Sequence, residues 1–308
     1  MMNMKLLNPA RSFRDRCTHN TCILSPAPAG PLLSGWVCSH KRTSMASTVS
    51  LCASAFTLLL LSIGSSFAAD TAPTGRPPLK VLYISGGGYH DYATQAPYLT
   101  TNISQLVNAA FDVKFGLDLL KNPKFAEGYD AVFYNVCDDN APDQVLDNAM
   151  QTARNGKPAV LMHCSIHAFR YSPKIKEWED FCGLRSKVHD PYGPFTITKV
   201  DQSSPITRFL PEEWKTAGDE LYQTISIDPR SHQLLKARSP VDGRQHVVCW
   251  TSQYGQGRVF CTTLGHDMKT CSTPEFRQLL ANGLLWACGK LGPDGAPAVG
   301  YSAAPAKP

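Results

Sequence analysis

Several common signatures of catalytic and binding sites are missing from this sequence of 308 residues. No C-x-x-C pair is present, so neither a zinc ribbon nor a thioredoxin-type redox site is indicated. No H-E-x-x-H segment is present, and no glycine loop continues into Gly-Lys-Ser/Thr, so a zincin protease and a Walker nucleotide site are not indicated either. We also find no internal repeat of about 20–50 residues, as a solenoid or propeller would show.

The longest apolar run near the amino terminus is too short for a membrane span. It covers residues 55–63 and is followed by small residues at 66–69, as in a secretory signal peptide with an Ala-x-Ala-like cleavage site. A spanning helix needs about 20 apolar residues. We therefore expect residues 1–69 to be an upstream extension and a signal peptide cleaved near Ala69, which makes the mature protein periplasmic or secreted. An uncleaved anchor is the alternative.

The excess of positive charge disappears with this leader. The chain has 30 basic and 25 acidic residues. Six of the basic residues and one of the acidic residues belong to the leader, so 24 of each remain. A formally neutral chain gives no electrostatic reason to expect nucleic acid as a partner. Seven of the 11 cysteines also remain, and an odd number leaves at least one free thiol unless two chains are linked.

Short apolar runs alternate with segments of helical spacing after residue 78. Continuous apolar runs are typical of buried parallel strands. The second half is richer in strands, so we predict an α/β, three-layer flavodoxin-like sheet with a β-rich carboxyl-terminal half. The predicted strands are 79–85, 111–117, 129–136, 157–163, 195–200, 234–237, 246–251 and 258–263. The predicted helices are 97–110, 143–155, 175–181 and a last one that opens at Pro274.

The composition also sets the expected domain limits. Residues 70–78 are rich in proline, threonine and glycine and form a predicted linker. Residues 79–290 form one predicted domain, which is long enough to bury a substantial core. Residues 291–308 are rich in proline, alanine and glycine, and we expect them to be a disordered tail.

A His-Asp step follows two of the predicted strands. His90-Asp91 comes after the first strand, and His266-Asp267 comes after the last one. His163 ends the fourth strand. Ligands of open α/β sheets bind beyond the carboxyl ends of the strands. We therefore expect these histidines to share one small-molecule site.

The residue types at this edge indicate acid–base catalysis. We expect His90 and His266 to act as acid and base, each oriented by the aspartate that follows it. A positioned histidine typically contributes about 10²–10⁴-fold in rate. Glu220, which lies in an acidic loop, would bind or polarise the substrate together with His163. The candidate catalytic residues are His90, Asp91, His163, Glu220, His266 and Asp267.

Other features near the strand ends have both functional and structural explanations. The glycine loop at 86–88 suits phosphate binding or a sharp turn. Cys164 follows a histidine and is a candidate nucleophile. The sharp strand-to-helix turn that presents such a nucleophile is strained and usually has glycine neighbours, which Cys164 lacks. Asp138 and Asp139 could bind a cation or sugar hydroxyls, or could place negative charge at the N-terminus of a helix. No cofactor is established by the sequence, although a cavity rich in histidine and aspartate could hold Zn²⁺ or another divalent ion.

Together, these segments resemble the ThuA-like (trehalose utilisation) domain. The resemblance spans roughly residues 79–290, and the ordered series is more specific than any single piece. The matching segments are 86–91, 156–169, 178–183, His189, 204–207, Trp214, 219–222, 248–251, 254–260, 264–267 and 276–286.

The resemblance implies a class I glutamine-amidotransferase-like fold, which is a variant of the flavodoxin-like sheet. It also implies a role in carbohydrate metabolism, with trehalose, related disaccharides and their 3-keto derivatives. Amidotransferases of this fold use cysteine, histidine and glutamate, and ThuA-like proteins generally do not keep that triad. The resemblance therefore does not carry glutaminase activity over to Cys164.

Three functions of different classes remain open. The first is an exported enzyme that acts on a disaccharide or 3-keto-sugar by His/Asp acid–base chemistry, as a hydrolase, lyase or isomerase. The second is a non-catalytic module that binds a carbohydrate by stacking aromatic side chains on sugar rings. The third is an amidase-like hydrolase that depends on Cys164. The aromatic candidates for stacking on a sugar are Tyr89, Tyr92, Trp178 and Tyr222. The sequence leaves the oligomeric state open.

Overall fold

The computed structural model describes residues 75–303. Strands and helices alternate in the first half of these residues, and strands dominate the second half. The strands are β1 (Leu79–Gly87), β2 (Ala109–Phe115), β3 (Ala131–Cys137), β4 (Ala159–Met162), β5 (Leu184–His189), β6 (Thr196–Lys199), β7 (Glu213–Lys215), β8 (Tyr222–Ile227), β9 (His232–Arg238), β10 (Gln245–Tyr254) and β11 (Gly257–Thr262). The helices are α1 (Tyr92–Ser104), α2 (Asp143–Arg154), α3 (Ile175–Cys182), α4 (Met268–Cys271) and α5 (Pro274–Ala287).

A nine-stranded sheet forms the middle layer, in the order β2-β1-β3-β4-β11-β10-β9-β6-β7. β1 pairs in parallel with β2 and β3, and β4 pairs in parallel with β3 and β11. From β11 to β7, the neighbouring strands are antiparallel. This confirms the predicted α/β flavodoxin-like sheet with a β-rich second half. β5 and β8 form a separate antiparallel pair.

Helices cover both faces of the sheet, which explains why its central strands are continuous apolar runs. All seven residues of β3 are buried, as expected when neither face of a strand meets water. On one face, α1 and α5 bury Leu99 and Leu280 in the core. On the other face, α2 and α3 bury Leu146 and Trp178. The three predicted layers are therefore present.

The first helix begins earlier than its apolar spacing indicates. We predicted it at 97–110, whereas α1 begins at Tyr92. The Asp91 carboxylate caps this end by accepting a hydrogen bond from the Thr94 N–H at 3.1 Å, and such a cap stabilises a helix by about 1 kcal/mol. Pro97 consequently lies inside the helix instead of near its start.

The structure describes the predicted tail, 291–308, as far as residue 303, and this part bonds to the domain. The Asn108 backbone N–H, just before β2, donates to the Tyr301 carbonyl at 2.9 Å. The Asn108 side chain donates to the Gly300 carbonyl, also at 2.9 Å. These two bonds hold the tail segment against the start of β2, because they pair backbone polar groups that would otherwise bond to water. The rest of the tail lies outside the described residues.

The predicted leader at 1–69 lies outside the described residues, as does the first part of the predicted linker at 70–78. Within residues 75–303, no helix combines the length and the apolar character that crossing a membrane requires.

A glycine inside α5 gives the first test of this packing. A Cβ atom on Gly283 would lie 2.3 Å from the Phe260 ring of β11. Alanine improves helix propensity by about 1 kcal/mol, but overpacking a core typically costs about 1–3 kcal/mol. We expect Gly283→Ala to lower the free energy of unfolding by up to about 2 kcal/mol, measured by chemical denaturation.

The control is the same substitution in a Phe260→Leu background, where the smaller side chain makes room. The loss should then shrink or change sign, because the two positions are in direct contact. A more stable Gly283→Ala single variant would contradict the close contact between α5 and β11.

Candidate active site at the carboxyl edge of the sheet

Three histidines from three parallel strand ends meet at one point. His90 follows β1, His163 follows β4 and His266 follows β11. The ring centroids are 4.7 Å apart for His90 and His163, 4.8 Å for His90 and His266, and 5.5 Å for His163 and His266. The structure therefore brings the three predicted histidines together, while their catalytic roles stay predictions.

Two glycines end β1, shortly before His90. Gly86 and Gly87 have φ values of +140° and +118°, which glycine adopts far more readily than other residues. A Cβ atom on Gly87 would lie 2.2 Å from the Cys137 carbonyl oxygen at the end of β3. Gly87 pairs with Cys137 of β3 and has no room for a side chain there, which accounts for this glycine without a phosphate.

His163 is buried and held in a strained conformation. Its φ of +47° lies in the left-handed region, which typically costs a residue other than glycine about 1–3 kcal/mol. The Nδ1 atom lies 2.7 Å from the Thr263 carbonyl oxygen, so Nδ1 carries the proton and Nε2 is left free. The Tyr222 hydroxyl lies 3.4 Å from that Nε2. Burial lowers the pKa of His163 to about 4, so the ring is neutral at pH 7.

Glu220 is the carboxylate that faces the histidines. Its Oε2 lies 3.3 Å from His266 Nδ1 and 3.6 Å from His163 Nε2, and its Oε1 lies 3.6 Å from His189 Nε2. Although partial burial raises its pKa, the nearby histidines outweigh this and lower it to about 2. The carboxylate in turn raises the pKa of His266. His90 is different, because burial and the two neighbouring histidines lower its pKa to about 3.

Asp219 is a buried residue of the site that sequence reasoning did not select. Its carboxylate accepts hydrogen bonds from the backbone N–H groups of Gly265 at 2.8 Å, His266 at 3.3 Å and Glu220 at 2.8 Å. Burial raises its pKa to about 6 despite these bonds. Asp219 therefore ties the loop before β8 to the end of β11. Its position directly before Glu220 was the one sequence feature that could have identified it.

The structure places Asp91 and Asp267 at the starts of two helices, and their catalytic roles stay predictions. Asp91 caps α1, as described above, and Asp267 caps α4 by accepting from the Lys269 N–H at 2.8 Å. Asp267 also accepts a hydrogen bond from the Tyr192 hydroxyl at 2.8 Å. A short acidic side chain is well suited to the unpaired N–H groups at a helix start. The site histidines are therefore faced by Glu220 instead of by the aspartates that follow them.

A cavity of about 380 Å³ opens beside the cluster, within the range of about 300–1,000 Å³ that is usual for small-molecule sites. His90, His266 and Glu220 line it, and Arg170 and Lys187 add positive charge. Sequence reasoning did not select these two basic residues, because neither belongs to a recognisable motif.

The aromatic candidates separate into two groups. Tyr89 and Tyr222 line the cavity, and Tyr89 is 51% exposed. Trp178 is buried in the core, where its Nε1–H donates to the Ser165 carbonyl at 2.9 Å. Tyr92 is also buried, in a small cluster with two cysteines. Trp178 and Tyr92 are therefore unavailable for stacking on a sugar.

Those two cysteines, Cys137 and Cys164, form a disulfide. It links the end of β3 to the segment after β4. Because its sulfur is bonded, Cys164 presents no thiolate, and the nucleophile of a Cys164-dependent hydrolase is not available in this state. The structural explanation of Cys164 is the better one.

The sequence matches the family described as ThuA, trehalose utilisation, over residues 80–287. That range includes the whole histidine cluster and Glu220. The chain belongs to the ThuA family. Membership of the ThuA family indicates a role in trehalose utilisation, without naming a substrate or a reaction.

Solved structures agree on the fold. A ThuA-like protein from Parabacteroides merdae aligns with a TM-score of 0.59 at 22% identity, covering 74% of this chain and 98% of its own. A ThuA-like protein from Bacteroides uniformis aligns with a TM-score of 0.58 at 16% identity, covering 70% and 94%. At these identities the likeness shows the fold alone, which is the class I glutamine-amidotransferase-like fold of the ThuA proteins. Among curated proteins, none matches the chain significantly.

The capping role of Asp91 can be tested by two substitutions. Asp91→Ala removes the cap of α1 and should lower the free energy of unfolding by about 1 kcal/mol. Asp91→Asn keeps an oxygen acceptor at the same place, so its free energy of unfolding should stay within a few tenths of a kcal/mol of the wild type. Chemical denaturation of both variants measures the difference. Equal losses in the two variants would show that the negative charge matters, and would contradict a simple cap.

Proposed function

We propose that this ThuA-family protein is an exported enzyme that acts on a disaccharide or a 3-keto-sugar by histidine–carboxylate chemistry. One observation carries the proposal: His90, His163 and His266 converge with Glu220 beside an open cavity of small-molecule size. Titratable groups with shifted pKa values that line a cavity are the usual mark of a reactive site.

His266 is the group best suited to carry a proton. The Glu220 carboxylate raises the pKa of His266, and a catalytic histidine is most effective when it changes protonation readily near the working pH. His90 stays neutral at pH 7, because burial lowers its pKa to about 3. A neutral imidazole can accept a hydrogen bond from a sugar hydroxyl. His266 thus acts as acid or base, and His90 orients the substrate.

A 3-keto-glycoside is a suitable substrate for such a group. The carbonyl makes the neighbouring C–H acidic, so a base can remove that proton. The electron pair then forms a C=C bond as the glycosidic C–O bond breaks, and the proton passes to the leaving oxygen. One histidine that first accepts and then returns a proton is sufficient for this sequence.

Export is supported by two features. The leader at 1–69 has the pattern of a signal peptide. The Cys137–Cys164 disulfide is of a kind that persists in oxidising compartments and is rare in the cytosol.

A non-catalytic sugar-binding module is the second candidate. The exposed ring of Tyr89 at the cavity favours it, since sugars stack on such rings. Calorimetry with trehalose and 3-keto-trehalose separates the two functions. Binding of either sugar without any turnover would favour the module and contradict the enzyme.

Glu220→Gln tests the enzyme directly. It keeps the shape of the side chain but removes the charge that faces the histidines. We expect kcat/KM on 3-keto-trehalose to fall by about 10²-fold or more, the range of acid–base catalysis. The matched control is Glu212→Gln, because Glu212 is exposed and its side chain bonds only to Gln202 among the described residues.

The control should keep the kcat/KM of the wild type. Wild-type turnover by Glu220→Gln would remove Glu220 from the catalytic site. Wild-type turnover by His266→Ala would likewise contradict the role of His266 as the proton carrier.

A further inference from the structure

The histidine cluster has the composition and spacing of a transition-metal site. One ligating atom from each of His90, His163 and His266 lies within 4.8 Å of the other two. Nitrogen ligands of a tetrahedral zinc ion are about 3.3–3.4 Å apart, since Zn–N bonds are about 2.0–2.1 Å long. Side-chain rotations that move each nitrogen by about 1 Å would bring all three within bonding distance of one ion.

Glu220 lies at distances typical of a fourth ligand rather than a hydrogen-bond partner. Its Oε2 is 3.3 Å from His266 Nδ1 and 3.6 Å from His163 Nε2. Charge-assisted N–H···O bonds are shorter, about 2.7–2.9 Å. The Nδ1 atom of His266 is buried and has no hydrogen-bond partner among residues 75–303. An ion between these atoms would provide the missing partner.

The residues behind the cluster resemble the outer support of a metal site. Metal-binding histidines usually donate their other N–H to a carbonyl or carboxylate, which fixes the ring and strengthens the ligand. His163 does so through Nδ1, 2.7 Å from the Thr263 carbonyl oxygen. Asp219 Oδ1 lies 3.8 Å from the same Nδ1. The unprotonated Nε2 of His163 lies on the side of Glu220, where the Tyr222 hydroxyl also approaches it at 3.4 Å.

We propose that His90, His163, His266 and Glu220 bind one divalent transition-metal ion, for which zinc fits the donor set best. Three imidazole nitrogens and one carboxylate oxygen suit zinc, whereas magnesium and calcium prefer sites made of oxygen ligands. The adjoining cavity leaves one side of the ion accessible to a water molecule or a sugar oxygen.

This inference rests on the same cluster as the proposed function, but it changes the roles of two residues. With an ion bound, His90 and His266 are ligands instead of substrate-orienting and proton-carrying groups. The ion then polarises a sugar carbonyl or activates a water. The two assignments can be separated by experiment, because metal binding is measurable without any sugar.

The experiment uses the purified full chain after treatment with a chelator. Zinc is added back, and binding is followed by calorimetry and by metal analysis of the dialysed protein. We expect one zinc ion per chain, a higher unfolding temperature with zinc, and no comparable effect of magnesium. Cobalt at the same site should give a visible absorption stronger than that of the six-coordinate aqueous ion.

Substitutions then locate the ion. His90→Ala and His266→Ala should each weaken zinc binding by at least about 10–100-fold, the loss that follows even from changing an outer partner. His232→Ala is the matched control, because His232 is exposed and pairs with Asp201 on the surface. Circular dichroism tests whether each variant is folded, and Glu220→Gln provides a further ligand variant if the histidine variants unfold.

Each outcome decides a different point. Zinc binding that is absent in the wild type, or equal in all variants, would overturn the metal site. Undiminished sugar turnover by the metal-free protein would overturn the role of the ion and leave the proposed function intact. Zinc binding at these residues without turnover of any tested sugar would support the site and contradict the proposed function.

Discussion

The close pairing of the glycine end of β1 with the end of β3 is the constraint on which the candidate site depends. Neighbouring strands are about 4.8 Å apart, so the ends of β1 and β4, with β3 between them, are about 10 Å apart. The rings of His90 and His163 are nevertheless only 4.7 Å apart. The difference is made up by the residues that follow the strand ends and by the histidine side chains. The turn after β1 begins at Gly87, which has no room for a side chain beside the Cys137 carbonyl.

The second constraint is electrostatic and comes from the loop before β8. A buried carboxylate is unfavourable unless hydrogen bonds compensate for lost water. Asp219 obtains them from backbone N–H groups of its own loop and of the turn after β11. Because Glu220 is the next residue, the same bonds fix where its carboxylate stands among the histidines. Removing Asp219 would therefore leave N–H groups unpaired and also release Glu220.

The histidines could be predicted because parallel strands place their carboxyl ends at one edge, and a strand end is visible as the end of an apolar run. The partner of each histidine was harder to predict. The sequence shows that Asp91 follows His90, but it does not show which group the carboxylate bonds. In the structure the Asp91 carboxylate accepts a hydrogen bond from the start of α1. The pairing of Cys137 with Cys164 depends on the adjacency of β3 and β4, which no spacing along the chain reveals. His189 and Asp219 depend on β5 and β8, whose weak alternation gives little indication of their pairing.

The tail that bonds to the domain has a consequence for how the protein can be attached to anything else. Asn108 bonds to the carbonyls of Arg76 and Gly300, which brings the start and the end of the folded region side by side. Both lie at the edge of the sheet where β1 begins, and the histidines lie at the edge where it ends. A surface, a carrier domain or a resin joined to either end would thus hold the domain with its cavity facing away, open to small molecules from solution.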